Sequence, residues 1–367
     1  MLADMLQERF QAFRSLPSLL LQDTEAFANV NKYLDLSLAL STTDKYYHAW
    51  ERFKSWLSKY NIFNPYQAND QMVAFYLAYL INYAETQSIG CSLIYVAVAA
   101  ISHFFRSGGH SPPQSYFCQQ LQKSAERILQ PTPSRCEPIS ASELHRVLVK
   151  FLNNTCSLKI RMHLTVFLLM FVGLLRFDDA QKILVHRDLL QFITISDSNP
   201  NIDGMLIFIP CSKTDQVWTG AWVAVGATHG PFCPVRLIQE LLYQGKYIRY
   251  HHSQDVGPLL RGVRWRGERF SLQEFTAPFS RPISPLSYTT FAESIQSLVK
   301  DATGKHVGLH SARKGGASHS RELSIDCRLV CGLGRWKQGT TYADTYIKMM
   351  DGNMRKYFGV TREIWKF

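Results

Sequence analysis

The sequence has no apolar run longer than twelve residues: "LTVFLLMFVGLL", Leu164 to Leu175, is bracketed by Arg161 and Arg176. Crossing a bilayer takes about 20 such residues, so this run predicts a buried core helix and no membrane span. The opening residues mix acidic and basic side chains and do not read as a signal sequence. There is no CxxC pair that would hold zinc; the eight cysteines, at 91, 118, 136, 156, 211, 233, 327 and 331, are scattered. Free thiols in a reducing compartment are expected, with no metal. Cys327 and Cys331, four apart in an apolar helical stretch, are expected to pack in the core. A Walker-type phosphate loop, internal repeats and low-complexity tracts are all missing as well.

The first 133 residues also lack net charge, with 10 basic and 10 acidic side chains, whereas the remainder holds 30 and 19. The whole formal excess of +11, with pI near 9.2, therefore lies after residue 133. A polyanionic partner follows from that balance. At 46% apolar and 19% charged residues, the 367-residue chain has the composition of an ordinary folded protein and the length for two cores.

Helical periodicity dominates the first part. "STTDKYYHAWERFKSWLSKY" predicts a helix from near Thr43, with Tyr46, Trp50, Phe53 and Leu57 on one face. Further helices are expected after Asn69 as cap, before the Gly108-Gly109 stop, and from Pro112-Pro113 as a first turn. "QPTPSRCEPIS", 130 to 140, with three prolines, predicts the linker. Beyond it come a capping box at Ser140, the buried helix, and three strands, "QFITI", "MLIFIP" and "WVAVG", with turns expected around Asp203-Gly204 and Lys213-Thr214-Asp215. Helices then return. The architecture expected is mainly α: a helical domain joined to an α+β domain with a small antiparallel sheet.

Four features of the second part converge: Arg176 in "GLLRFDDA", Lys213 in "PCSKTDQ", His310 and Arg313 in "HSAR", and Trp336 and Tyr346 in "GRW…YI". Two arginines can clamp the non-bridging oxygens of a phosphodiester with forked, permanently charged donors. His310 can add a hydrogen bond or shuttle a proton, and the Trp336 indole N–H can donate to the same phosphate. A phenol with a pKa near 10 becomes a nucleophile at neutral pH in such a cationic pocket. Taken singly, each residue has an ordinary alternative: a helix-end charge, a solvent-facing turn lysine, a core histidine, a packing tryptophan. "RGVRWRGERF" sets Arg261, Arg264, Arg266 and Arg269 around one tryptophan, and Lys45, Arg52 and Lys54 sit with Lys59 on the first helix; both groups suit phosphate contacts.

The series Arg176, Lys213, His310, Arg313, Trp336, Tyr346, in this order over residues 24 to 350, resembles the tyrosine recombinases of the phage integrase family. The phrases "SKTDQ", "HSARKGGAS" and "GRWK" are most similar to recombinases of eukaryotic mobile elements of the DIRS and Crypton kind. The resemblance implies an N-terminal arm (1–23), a helical SAM-like core-binding domain (24–130), a linker (131–139), a catalytic domain (140–350) and a C-terminal tail (351–367) that docks on a neighbouring protomer, the alternative being a tail folded back on its own domain. It implies Lys213 as general acid and Asp179 as a supporting carboxylate that orients an arginine or His310. It further implies a 3′-phosphotyrosyl intermediate without cofactor, metal or ATP, double-stranded DNA as partner, and a tetramer on two DNA sites. The location implied is the nucleus in a eukaryote and the cytoplasm otherwise. Tyr342 lies six residues beyond Trp336 and Tyr346 ten; the Tyr-Ile context and spacing favour Tyr346 as nucleophile. A catalytically inactive DNA-binding derivative and a type IB topoisomerase are the competing classes.

Overall fold

The computed structural model describes residue 29 and residues 40–113, 115–129, 136–196, 198–212, 219–247, 257–266, 269–272, 286–336 and 354–367. The chain divides into two compact units, Met1–Ser134 and Arg135–Phe367. Among the described residues, no helix is long and apolar enough to cross a membrane.

The first unit contains α1 (Leu40–Ser58), α2 (Asp70–Thr86), α3 (Ser92–Ser107) and α4 (Tyr116–Ile128). The expected face of α1 buries Trp50, Phe53 and Leu57, with Tyr46 packed at the margin. Trp50 stacks on Phe104 of α3 at 4.9 Å between ring centroids. Gly108 ends α3 where a Cβ would meet the Tyr66 ring at 2.7 Å. The start of α4 departs from expectation: Pro112 and Pro113 lie outside the helix, and Ser115 is the N-cap, its hydroxyl accepting the Cys118 N–H. A serine supplies the acceptor that a proline cannot, so it takes the cap and leaves the prolines in the extended lead-in.

In the second unit the capping box of α5 (Ala141–Phe151) forms as expected, with Ser140 and Glu143 each accepting the other's backbone N–H. The apolar run becomes α6 (Leu158–Val172), in which every residue from Arg161 to Val172 is buried. Such a helix, apolar on all sides, belongs at the centre of its domain; α5, α8 (Pro234–Gln244), α9 (Tyr288–Thr303) and α10 (His310–Glu322) pack around it. The short α7 (Phe177–Ala180) follows it.

Strands β1 (Leu190–Ser196), β2 (Asn199–Ile209) and β3 (Ala221–Gly226) form an antiparallel sheet in that order. Asp203-Gly204, expected as a turn, lies inside β2; the chain reverses between Ser196 and Asn199, which pair. Gly204 and Gly226 face each other in register, and a Cβ on Gly204 would meet the Phe358 ring at 2.6 Å. The glycine therefore marks a close approach on a strand, the alternative meaning of a glycine in such a pattern. The Lys213-Thr214-Asp215 turn lies outside the described residues.

Phe358 belongs to α12 (Met354–Ile364), the helix of the C-terminal tail. The tail packs in cis on β3: Thr361 Oγ1 accepts the Gly226 N–H at 2.7 Å, Arg362 donates to the Ala227 carbonyl, and fully buried Trp365 donates to the Phe232 carbonyl at 2.9 Å. Burying Phe358 and Trp365 here stabilises the domain by ~2 kcal/mol or more per ring. A correction concerns α11 (Cys327–Gly334). It turns Val330 and Leu333 to the core and leaves Cys327 exposed and Cys331 half-buried. Strands β4 (Val263–Arg266) and β5 (Arg269–Leu272) pair as a separate hairpin.

Candidate active site

Arg176 stands where α6 gives way to α7. The turn between them passes through Leu174 with φ of 48°, a left-handed conformation rare outside glycine, and Arg176 is extended as the N-cap of α7. At the third position of α7, Asp179 accepts the Arg176 backbone N–H at 2.9 Å. The Arg176 side chain is half-buried, and one of its terminal nitrogens is buried without a partner.

Arg313 comes from α10, one turn after His310. The helix lies close against its surroundings because Gly315 and Gly316 have no Cβ: one would meet the Ile139 carbonyl at 1.9 Å, the other the Phe171 carbonyl at 2.1 Å. That is the structural content of "KGGAS". Buried Arg313 donates to the carbonyls of Leu174 and Gly334, and its guanidinium carbon lies 4.7 Å from the centre of the Trp336 ring. Burial, then the charges of Arg176 and Arg335, push its pKa down to about 9, leaving it cationic at neutral pH. The exposed His310 is held below the usual histidine range by partial desolvation and then by Arg313, Lys314 and Arg176, so its neutral ring is favoured.

Trp336 follows α11 through Arg335, which is left-handed at φ 53° and caps the helix. Arg335 was not anticipated from sequence. Its guanidinium reaches Asp179 Oδ2 at 2.6 Å, with both side chains buried. Asp179, expected to orient Arg176 or His310, therefore pairs with a different arginine and touches Arg176 only through the backbone. A buried carboxylate needs a buried cation, and the one that Asp179 takes lies 156 residues further along the chain, where no local pattern marks it as the partner.

Three guanidiniums and one carboxylate thus gather at the ends of α6, α10 and α11. Arg176 Nη1, Arg335 Nε and Nη1, and Asp179 Oδ1 are buried without hydrogen-bond partners. Net positive charge with unfilled donors is the electrostatic form of an anion site. Lys213, Tyr342 and Tyr346 lie outside the described residues. Nearby, Lys182 donates to the Cys211 carbonyl at 3.2 Å, fixing the chain two residues before Lys213.

The expected DNA contacts divide. Lys45 and Arg52 are exposed on α1; Lys54 pairs with Glu51 at 2.8 Å, and Lys59 lies over the Tyr79 ring. Arg264 is exposed on β4, and the register sets Arg266 opposite Arg269, whose side chains lie outside the described residues. Arg261 is half-buried, with Nε donating to the Pro258 carbonyl at 2.8 Å and its guanidinium over the Tyr247 ring. It braces the base of the hairpin.

No protein-family model matches the sequence, and no curated protein matches it. Solved structures do. The XerH site-specific recombinase bound to palindromic difH substrate in a post-cleavage complex aligns over 95% of this chain and 92% of its own, with a TM-score of 0.52 and 14% identity. The integrase of mycobacterium phage Brujita matches over 93% and 94% at 16% identity and TM-score 0.38. A lambda integrase dimer bound to a COC′ core site matches over 93% and 96%, again at 16%, with TM-score 0.42. The XerH likeness carries the fold: predominantly helical, with a small three-stranded antiparallel sheet, it is the tyrosine-recombinase fold.

Proposed function

We propose that the chain is a site-specific DNA recombinase that cleaves and rejoins strands through a 3′-phosphotyrosyl intermediate. The observation that carries this reading is the meeting of Arg176, His310, Arg313 and Trp336 around a buried cationic centre on a recombinase fold. In the reaction, Tyr346 gives its phenolic proton to solvent and its oxygen attacks phosphorus. The bond to the 5′ oxygen breaks, and Lys213 supplies that oxygen with a proton. Arg176 and Arg313 carry the charge that gathers on the non-bridging oxygens, and neutral His310 and the Trp336 N–H contribute hydrogen bonds. Attack by the free 5′-hydroxyl reverses each step, so the bond energy is kept and no cofactor is consumed.

Exchange between two duplexes needs four phenols, which supports a tetramer on two DNA sites. The phrases "SKTDQ", "HSARKGGAS" and "GRWK" support integration or excision of a DIRS- or Crypton-like mobile element, and with it a nuclear location in a eukaryotic host. Selection of bound duplexes from a random library supplies a substrate, which is then nicked so that cleavage traps the enzyme. The expected result is a detergent-stable adduct mapped to Tyr346. Tight binding without an adduct would mark a DNA-binding derivative, and relaxation of a plasmid lacking the selected site would mark a topoisomerase.

A further inference from the structure

Arg335 combines two costly features. It is a non-glycine residue in the left-handed region, at φ 53° and ψ 42°, and it buries a guanidinium with two nitrogens unpaired. A glycine would adopt that backbone without strain, so the side chain must be what the position requires. Its partner is one oxygen, Asp179 Oδ2, which also accepts the Arg176 backbone N–H. A single carboxylate oxygen therefore ties the segment of Arg176 to the segment of Trp336, through two residues, Asp179 and Arg335, that lie 156 apart in sequence.

What hangs on that tie is the setting of Arg313. The residue before Arg335 offers its carbonyl to Arg313, and the residue after it lays its ring against the same guanidinium. The Trp336 ring folds back over Gly334, where a Cβ would meet it at 2.5 Å. The backbone at Arg335 thus sets both contacts at once. We propose that Arg335 is a positioning residue: anchored by Asp179, it holds the Gly334 carbonyl and the Trp336 ring on Arg313, fixing that cation in the one orientation in which it meets a phosphate. The last clause rests on the recombinase reading of the site; the placement of Trp336 does not.

The test separates the two. Protein labelled with 5-fluorotryptophan gives fluorine resonances, and Trp336→Phe assigns that of Trp336. Arg335→Gly keeps the left-handed turn and deletes the anchor, while Asp179→Asn keeps an oxygen for the Arg176 N–H and deletes the charge. Both are expected to move the Trp336 resonance and leave the other tryptophans in place. Arg335→Lys should restore part of the shift, and the double variant Asp179→Asn with Arg335→Gly should move it no further than the singles. On the trapped substrate, the single variants should cut the rate of adduct formation on the order of 100-fold, the scale of a small misplacement of a reacting group, with DNA affinity little changed. An unmoved Trp336 resonance in Arg335→Gly overturns the proposal, as does unfolding of every variant including Arg335→Lys, which would make the pair a folding element only. A moved resonance in a protein whose wild type forms no adduct would leave the positioning role standing and remove the recombinase reading.

Discussion

The two units of the chain solve burial in opposite ways. Among the described residues, the core of the first is almost wholly apolar and aromatic, with Ser102 its one buried polar residue, whereas the second buries Arg161, Arg313, Arg335, Asp179, Glu143 and His163. Burying an ion costs several kcal/mol unless it is paired, so a domain does not accumulate such groups for stability alone. The contrast separates a unit whose packing makes a scaffold from one that spends stability on a charged centre. Net charge divides in the same place, neutral before residue 133 and basic after it.

The largest expected effect sharpens that contrast from the scaffold side. Trp50→Ala removes a ring stacked on Phe104 and in contact with Phe53, Tyr66 and Phe105, and should destabilise the first unit by about 3–5 kcal/mol. Urea unfolding should register this as loss of the first unit, with the second unchanged. Arg313→Ala is the counterpart. It should slow adduct formation by ~100 to 1000-fold and cost only about 2 kcal/mol of stability, as the Leu174 and Gly334 carbonyls lose their donor while repulsion from Arg176 and Arg335 is relieved. A variant that loses stability as heavily as Trp50→Ala, and cleavage only in proportion, would erase the distinction between the two units.

A buried histidine gives a pH test of the same idea. His163, on α6, bonds Ser294 at 2.8 Å and packs on Phe291; burial, then Lys159, lowers its pKa to about 4. The folded state therefore disfavours the charged ring. Its contribution is complete above the unfolded value near 6.5 and is lost as pH falls from there towards 4, about 3 kcal/mol in all. His163→Gln should flatten this part of the stability profile between pH 7 and 4, measured by urea titration at each pH; a profile that stays parallel to the wild type would assign the loss to other groups.

Legibility followed the distance over which each residue acts. The buried helix α6 was readable because twelve apolar residues in a row are a local fact, and the capping box at Ser140 because its two members lie three apart. The arginines, histidine and tryptophan stand in recognisable phrases, and Arg176, His310, Arg313 and Trp336 lie near one another in the fold. What stayed hidden depended on remote partners. Gly204 resembles a turn until Phe358 is seen pressing on it, and the apolar tail has the same composition whether it docks in cis or in trans. Arg335 stands inside the phrase "GRWK", yet nothing local gives its role, since both its partner Asp179 and its left-handed backbone are settled by tertiary contact.

The smallest effects lie within one short run, where Arg261 and Arg264 are three residues apart and differ in what holds them. Arg264 is exposed on β4, whereas Arg261 is half-buried, bonded to the Pro258 carbonyl and stacked over Tyr247. An exposed arginine near DNA neutralises one phosphate, so Arg264→Ala should reduce the slope of log affinity against log salt by about 0.9 and leave stability within about 0.5 kcal/mol. Arg261→Ala should do the reverse. It loses a hydrogen bond and a cation–π contact, together about 1–2 kcal/mol, with the salt slope unchanged. Fluorescence anisotropy with a labelled duplex across a salt series, paired with urea melts of both variants, reads the two quantities separately. If Arg261→Ala instead flattens the salt slope at constant stability, the guanidinium leaves Tyr247 to meet phosphate, and the brace seen in the free protein is only its resting place.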